Sequence, residues 1–536
     1  MKRMKSVFSM LLVLVMILSL AACGGGSDKP AADSSGGNAS ETGTKKLDVL
    51  NLGIYGDTTF TGTFDPCGAW AGTGAGYGIT FSVYDTPFYI ASDGVYKSRI
   101  VEDYKWTDDT TMVMTIKDGI MFSNGTQLTG KDILYSLKLM QNSGMRSGYY
   151  TPFDVESSTV SDDGLTITLK TFEPYAAYYA GLDFAIVSAD YVESQGGGEN
   201  IDWYDPSKVV GSGPYTCTSF ASGASATYEK RDDYWGLAYG YDDIYGKINV
   251  TQYSDQTTMC IDLETGAIDV AVDLSIQDYD RLDAETSDNI QTQLIDCNVV
   301  YQLVFDVNNC EPLKDPKVRE ALCHAVDTEA LTKAVAGTFG ETAQSMFGKN
   351  EIGFLGGTAY DYDPETSKAL LAEAGVDNLS LKIGVIGQEP YTTICEIIQE
   401  YFAQVGVTLT IDALEFATFI GSANNPDFTD IQIYTMTGGN PSCEPVVHLD
   451  NWYSTSSSPV MHRTAEYDEL LIGGETNLDT AERAKYYQQL QQLWHDNFDG
   501  IPLYEFKKGY AYNTDVFEDF TLASSSVLWI FDAVVK

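Results

Sequence analysis

From Leu47 onward the apolar residues switch repeatedly between a two-residue and a 3.6-residue period, which restricts the chain to a mixed α/β fold. The stretch 47–54 puts Leu50, Leu52 and Ile54 on one face and Val49 on the other, as in a half-buried strand. Stretches 110–117 and 165–170 repeat the pattern, with Met112, Met114 and Ile116, then Leu165, Ile167 and Leu169, to one side. Helix starts are equally clear. Asp315-Pro316 places a capping carboxylate before a proline whose missing N–H costs nothing at the first helical position. Val318, Ala321, Leu322, Ala325 and Val326 then form one stripe. Asp363-Pro364 repeats the device, with Gly375 as the C-terminal stop. Ile394, Ile397, Ile398, Phe402 and Val405 mark a helix ended by Gly406, and Thr480 opens one with Tyr486, Leu490, Leu493 and Trp494 on one side. There is no short internal repeat and no long helical stretch, which excludes a solenoid or a bundle. A chain of 536 residues holds several domain-sized units.

Charge excludes two classes of partner. With 76 acidic against 32 basic side chains, the formal net charge is −44. Nucleic acid binding needs a basic face to release counterions, and none is expected here. Docking of the folded body on an anionic membrane is disfavoured for the same reason.

The N-terminus carries its own instructions. Lys2, Arg3 and Lys5 precede an apolar run from Val7 to Leu20, too short for a membrane span and flanked like a secretory signal. Leu20-Ala21-Ala22-Cys23 resembles the lipobox of bacterial lipoproteins, in which the cysteine is acylated before cleavage. This predicts a signal peptide over 1–22, lipidation at Cys23, and a flexible lipid-anchored linker over 23–45, rich in Gly, Ser, Ala and Asp. The folded body is then expected at the extracytoplasmic face of the cell membrane, held there through the lipid anchor only.

Motifs for catalysis or metal binding are missing. Eight further cysteines, Cys67, Cys217, Cys260, Cys297, Cys310, Cys323, Cys395 and Cys443, contain no Cys-x-x-Cys pair and read as small apolar residues or disulfide partners. His324, His448, His462 and His495 include no pair at helical ligand spacing, so no metal and no cofactor is expected. Gly125 to Asp132 approaches a phosphate-binding loop, but Asp132 stands where a Ser or Thr must ligand magnesium. Thr129 or Asp132 reads instead as the cap of a helix over 133–140. Asp361 and Asp363 begin like a calcium loop that lacks its glycine at the sixth position. No Gly-x-Ser-x-Gly elbow appears, which leaves a secreted lipoprotein hydrolase, the rival from another class, without a nucleophile. A surface adhesin or sensor is the other rival. Aromatic residues are numerous, with 35 Tyr, 23 Phe and 7 Trp, and many lie among Gly, Asn and Ser, as suits stacking on a polar organic ligand.

Several blocks, in one order, carry a resemblance. They are Phe64-Asp65-Pro66, the stretch Gly119 to Ser136, Gly211-Ser-Gly-Pro-Tyr215 with Lys230-Arg-Asp-Asp-Tyr-Trp-Gly236, and Leu263-Glu-Thr-Gly-Ala-Ile-Asp269. Asp306-Val-Asn-Asn309, Val318-Arg-Glu-Ala-Leu322, Ala325-Val-Asp327 and Ile501-Pro-Leu-Tyr504 follow. Together they resemble the family 5 extracellular solute-binding proteins, the oligopeptide- and dipeptide-binding lipoproteins of ATP-driven (ABC) importers. The resemblance implies a two-lobed periplasmic-binding-protein fold of α/β class with an additional inserted domain and a hinge-closing cleft. Domain I would comprise 46–83, 201–300 and 503–536, domain II 84–200, and domain III 301–502. It implies a receptor without enzymatic activity that delivers a short peptide to an ABC permease, with an oligosaccharide or other non-peptide solute as the alternative.

Ligand residues follow from motif position. Trp70 falls shortly after Asp65-Pro66, where relatives present a cleft residue, and Phe416 stands where an aromatic packs on the ligand. Tyr504 closes the last block and is expected at the same cleft. Met436, Gly439, Asn440 and Glu444 lie in the stretch where peptide binders read Trp-x-x-Asp. Met436 replaces the Trp, and Gly439 replaces the Asp that pairs with a peptide's amino end. Glu444 could take over that charge. A buried ammonium without such a partner is costly, which would favour a neutral ligand stacked on aromatics.

Overall fold

The computed structural model describes residues 47–55, 64–67, 82–91, 95–142, 147–239, 245–284, 289–423, 431–438, 443–454, 464–522 and 533–536. Ten strands follow one another in one mixed sheet. Their order is Thr408–Leu414, Ser380–Ile386, Ile433–Gly438, Ile290–Phe305, Gly500–Asn513, Val270–Leu274, Leu47–Tyr55, Tyr245–Tyr253, Ser225–Lys230 and Tyr215–Ala221. The short strand Gly340–Thr342 pairs with Gly500–Asn513 outside this path. Parallel pairing is confined to the two wings, around Leu47–Tyr55 and Ser380–Ile386. Parallel neighbours need a crossover, and helices Gln256–Glu264 and Tyr391–Gln404 connect strands of each wing.

Each wing is covered on both faces. In one, Leu50, Leu52, Ile54, Ile248 and Val250 form the core on one face, and Met259, Leu263, Ala271 and Tyr279 a core on the other. In the second, helix Tyr391–Gln404 packs Ile394, Ile398 and Phe402 against Leu303, Phe305, Leu381 and Ile383. Helix Thr480–Asp496 packs Leu490 and Trp494 against Val304, Tyr434 and Met436 on the opposite face. A separate antiparallel sheet, Val101–Asp108, Thr111–Ile116, Thr166–Lys170 and Thr159–Val160, holds its own core of Met112, Met114, Ile116, Ile133, Leu137, Ile167 and Leu169. The segment 182–187 joins this core to the first. Leu182, Phe184 and Ile186 enter the small-sheet core, while Ala185 and Val187 enter the large-sheet core.

The expected helix starts are present. Asp315 accepts the Lys317 amide at 2.9 Å and caps Pro316–His324, and Asp363 caps Pro364–Glu373. Helix Gly130–Gln141 carries a full capping box, with Thr129 at the cap and Asp132 accepting the Thr129 amide at 2.8 Å. The second Asp132 oxygen accepts the Ala189 amide, so this carboxylate is a structural group and not part of a phosphate site. Thr480 opens helix Thr480–Asp496 as expected, with Asp479 as its cap. That helix also buries Arg483, Tyr487 and Gln491, so its inner face is turned relative to the apolar stripe. Among the described residues the eight cysteines from Cys67 to Cys443 form no disulfide, and six of them are buried, as small apolar residues would be.

The sequence blocks behind the resemblance turn out to be staples of the fold. A Cβ on Gly211 would stand 1.8 Å from the Val83 carbonyl oxygen, and one on Gly213 2.6 Å from that of Ser82. Arg231, from the next block, donates to the Gly211 and Gly213 carbonyls at 3.2 and 3.1 Å and to that of Met121 at 3.2 Å. Buried Asp85 accepts from Arg99 at 3.3 Å, Tyr234 at 3.3 Å and Trp235 at 2.7 Å, which ties the Tyr-Trp pair to the small-sheet lobe. Arg319 donates to the carbonyls of Leu313 at 2.7 Å and Asn497 at 2.6 Å. Asp269 accepts the Asn51 amide at 2.7 Å.

Gly211→Ala should therefore destabilise the protein by more than about 2 kcal/mol, because the clash is with backbone that cannot rotate away. Gly421, inside helix Phe416–Ala423 with open space where its Cβ would be, is the control. Gly421→Ala should raise stability by up to about 1 kcal/mol. Thermal unfolding of both variants checks the pair.

Candidate functional site

Two strands dominate the middle of the large sheet. Ile290–Phe305 has 16 residues and Gly500–Asn513 has 14, longer than strands usually run. They pair antiparallel, from Ile290 opposite Asn513 to Val304 opposite Gly500. One end of the ribbon lies beside Val270–Leu274, the other beside Ile433–Gly438, so it passes from one wing to the other. Register shifts between Asp296 and Val299, and again between Tyr301 and Gln302. At the first shift, Asn298 is fully buried with φ +52°. Its side-chain Nδ2 donates to Cys443 Sγ at 3.0 Å, and its Oδ1 accepts the Asn350 backbone amide at 3.3 Å. Asn298 thus ties the bulge to the segment that motif position assigns to the ligand.

Charge lines one face of this crossing. Lys349 lies 2.9 Å from Asp296 and 3.1 Å from Glu341, and Lys507 lies 2.7 Å from Glu341. These side chains are between a fifth and a half exposed, so each pair adds little stability. Glu505 is different. It is 5 % exposed, its Oε1 has no partner, and burial raises its pKa above the usual carboxylate value.

The opposite face of the crossing carries aromatic rings. Tyr301 and Tyr504, directly opposed across the ribbon, stack at 4.6 Å and 11°. Tyr391 leans on Tyr301 at 5.4 Å, and Phe506 meets it edge-on at 6.4 Å. Phe506 continues to Phe339 at 6.1 Å, and Phe339 to Tyr279 at 5.3 Å. This file of rings runs from one wing, across both crossing strands, to the other. Tyr301, Tyr391 and Phe506 remain partly exposed, so the file has an open side. It offers π faces and phenol hydroxyls. Among the described residues no cluster of His, Cys, Asp and Glu could hold a metal ion.

Of the residues expected at the ligand, Trp70, Gly439 and Asn440 lie outside the described residues, as does Cys23, the expected lipidation site. Phe416 opens helix Phe416–Ala423 and is 59 % exposed, while Met436 is buried in the core beneath it with Phe419 and Tyr434. Tyr504 is 1 % exposed and already covered by Tyr301. Glu444 is engaged internally. Its Oε2 accepts Arg483 Nη1 at 2.8 Å and its Oε1 accepts Nη2, with both side chains about 5 % exposed. Burial opposes the charge on Arg483, but the Glu444 carboxylate more than offsets it and raises the arginine's pKa. Tyr301 and Tyr391 escaped the sequence reading. Their signal was weak, since Tyr301 sits inside an ordinary strand pattern and Tyr391 at a helix start.

A mixed sheet whose wings are joined by a two-stranded crossing defines a two-lobed binding-protein fold. The profile described as bacterial extracellular solute-binding proteins, family 5 Middle, matches residues 96–459. The chain belongs to this family. It is 25% identical over 442 residues to the dipeptide-binding protein of Escherichia coli (strain K12), covering 76% of this chain and 77% of that one. It is 26% identical over 363 residues to heme-binding protein A of Haemophilus influenzae, covering 64% and 63%. Among solved structures, the periplasmic binding protein DppA of Helicobacter pylori in complex with the peptide STSA superposes with a TM-score of 0.72 at 19% identity, over 92% of this chain and 98% of that one. Among the described residues no helix is long and apolar enough to cross a membrane.

The Glu444–Arg483 pair makes a direct prediction. Breaking a buried pair from one side leaves an uncompensated charge, at a cost of about 3–5 kcal/mol. Glu444→Gln should lower the thermal midpoint sharply, as a change at a structural group does. A variant that keeps its stability and loses only the preference for a ligand's free amino group would show the carboxylate facing the ligand instead.

Proposed function

We propose that this chain is an extracytoplasmic receptor that captures a short peptide and delivers it to an ABC permease. The observation that carries the reading is the file of rings at the crossing of two long strands, with Tyr301, Tyr391 and Phe506 partly exposed, in a chain of the solute-binding family. In this reading domain I (46–83, 201–300 and 503–536) and domain III (301–502) close on the ligand. The proposed junctions at 300/301 and 502/503 both fall inside the paired crossing strands, next to their register shifts. Domain II (84–200) carries the small sheet. Ligand bridging both lobes favours the closed state by its differential affinity, and closure is the signal to the permease. Nothing in this mechanism requires turnover. The relative named for dipeptides and the neighbour holding STSA support a peptide.

One observation favours a non-peptide solute as the second reading. Gly439 brings no carboxylate, and Glu444 is occupied by Arg483, so an amino terminus has no evident counter-charge there. A planar or neutral ligand resting on the rings needs none. The relative named for heme fits this alternative.

Cys23 is proposed as the sole membrane attachment, through acylation of its thiol. Cys23→Ser should shift the protein from the membrane fraction to the soluble one, and continued acylation of that variant would remove the anchor from the reading.

Calorimetry of di- to pentapeptides, free and N-acetylated, beside oligosaccharides and hemin, tests the ligand class. Peptide binding is expected, weakened about tenfold by Tyr301→Ala and little by Tyr301→Phe, since losing one stacked ring costs about 1 kcal/mol or somewhat more. Tight binding of a sugar or hemin with no peptide binding selects the second reading.

A further inference from the structure

A second concavity stands apart from the ring file, between the loop after strand Thr166–Lys170 and the end of helix Ala465–Thr476. Its volume is about 320 Å³, and none of its lining residues lies on the crossing strands. Phe172, from the loop, and Ile472, from the helix, both line it. They are 67 % and 57 % exposed, and Phe172 is the most exposed large apolar side chain among the described residues. Isolated apolar residues on a surface mean little. Two that line one cavity, among polar neighbours, mark a place where an apolar side chain can be covered.

The walls are held in place before anything binds. The Ala176 amide donates to the Glu475 carbonyl at 2.7 Å and bridges the two sides. Tyr175, 1 % exposed, backs the floor and donates to the Tyr149 carbonyl at 3.2 Å. On the helix side, Arg483 donates to the Gly474 carbonyl at 2.6 Å while paired with Glu444. A preformed slot spares a partner the entropy of ordering it.

Charge specifies the occupant. Glu173 and Glu475 line the slot, and no lysine or arginine is among its described lining residues. The volume lies at the lower end of small-ligand pockets, with room for an apolar side chain together with part of the backbone that carries it. A free molecule of that size would fill the cavity and leave the rims of Phe172 and Ile472 in water. A polypeptide that inserts one side chain and lies across the rim covers both.

We propose that this slot is a docking site for a basic segment of a partner protein. The segment seats one apolar side chain between Phe172 and Ile472 and sets lysine or arginine side chains against Glu173 and Glu475. The slot is independent of the solute site, and its occupant is recognised by side-chain chemistry and not by free chain ends.

The probe is fluorescein-labelled acetyl-Lys-Leu-Lys-Arg-amide, followed by anisotropy, with acetyl-Gln-Leu-Gln-Gln-amide as its neutral counterpart. The basic probe should bind at least tenfold tighter than the neutral one, and carbodiimide coupling should join its lysines to Glu173 and Glu475. Phe172→Ser with Ile472→Ser should weaken binding at least tenfold with an unchanged thermal midpoint, as expected of exposed positions. Glu173→Lys, a single exposed change, should do the same by charge reversal. Tyr301→Ala should leave probe binding as it was, which separates this test from that of the solute site. Equal binding of both probes, wild-type affinity in the double variant or in Glu173→Lys, or coupling only to carboxylates elsewhere on the acidic surface overturns the proposal. Displacement of the probe by free leucinamide at similar concentration also overturns it, since that marks a small-molecule pocket.

Discussion

The antiparallel pairing of Ile290–Phe305 with Gly500–Asn513 is the constraint on which the other features rest. Among the described residues the two wings share no other strand path, since Val270–Leu274 and Ile433–Gly438 flank this ribbon on opposite sides. Thirteen registered positions fix the ribbon, and its two register shifts mark where it departs from a regular ladder. A shift leaves a residue without a partner and increases local twist. Asn298 answers that cost with its side chain, which bonds Cys443 and the Asn350 amide where the backbone cannot. The same residue takes a positive φ, a conformation asparagine tolerates better than most. Geometry at the crossing and geometry of the 443–445 segment are thereby set by one side chain.

Much of the fold was legible in the sequence because its signals are local. A capping carboxylate, a following proline and a stop glycine act within one turn, and Asp315, Asp363 and Gly375 do what their spacing implies. The family blocks were legible for a related reason. Gly211, Arg231, Arg319 and Asp269 act on backbone atoms, and such contacts tolerate little change in residue type. Those blocks therefore announce the architecture and are silent about the ligand. Apolar counting failed where polar groups are buried in pairs. Arg483 and Gln491 lie inside helix Thr480–Asp496, and counting only apolar residues turned its predicted stripe away from Tyr487.

The site was less legible because its members are defined by what they meet across the sheet. Tyr301 is one more strand residue until Tyr504 is placed opposite it, and Glu444 is one more acid until Arg483, 39 positions away, is seen to close on it. Motif position gave Glu444 and Tyr504 as ligand groups by analogy of place. The structure gives them neighbours that already satisfy them.

That difference bears on how such a receptor distinguishes solutes. An ion pair buried as deeply as Glu444–Arg483 is weak evidence for stability, because desolvation cancels most of the attraction. Its effect is geometric. Arg483 also donates to the Gly474 carbonyl and to the Tyr487 hydroxyl at 3.2 Å, while Tyr149 donates to the Glu444 carbonyl at 3.2 Å. The Glu444 carboxylate therefore holds the 443–445 segment against the helices, while the backbone carbonyl of the same residue ties it to the small-sheet lobe. A carboxylate so committed cannot also neutralise an incoming ammonium without releasing the arginine. In the proposed receptor, discrimination then falls to the rings of Tyr301 and Tyr391, whose faces accept many chemistries, and charge selection must come from residues other than Glu444.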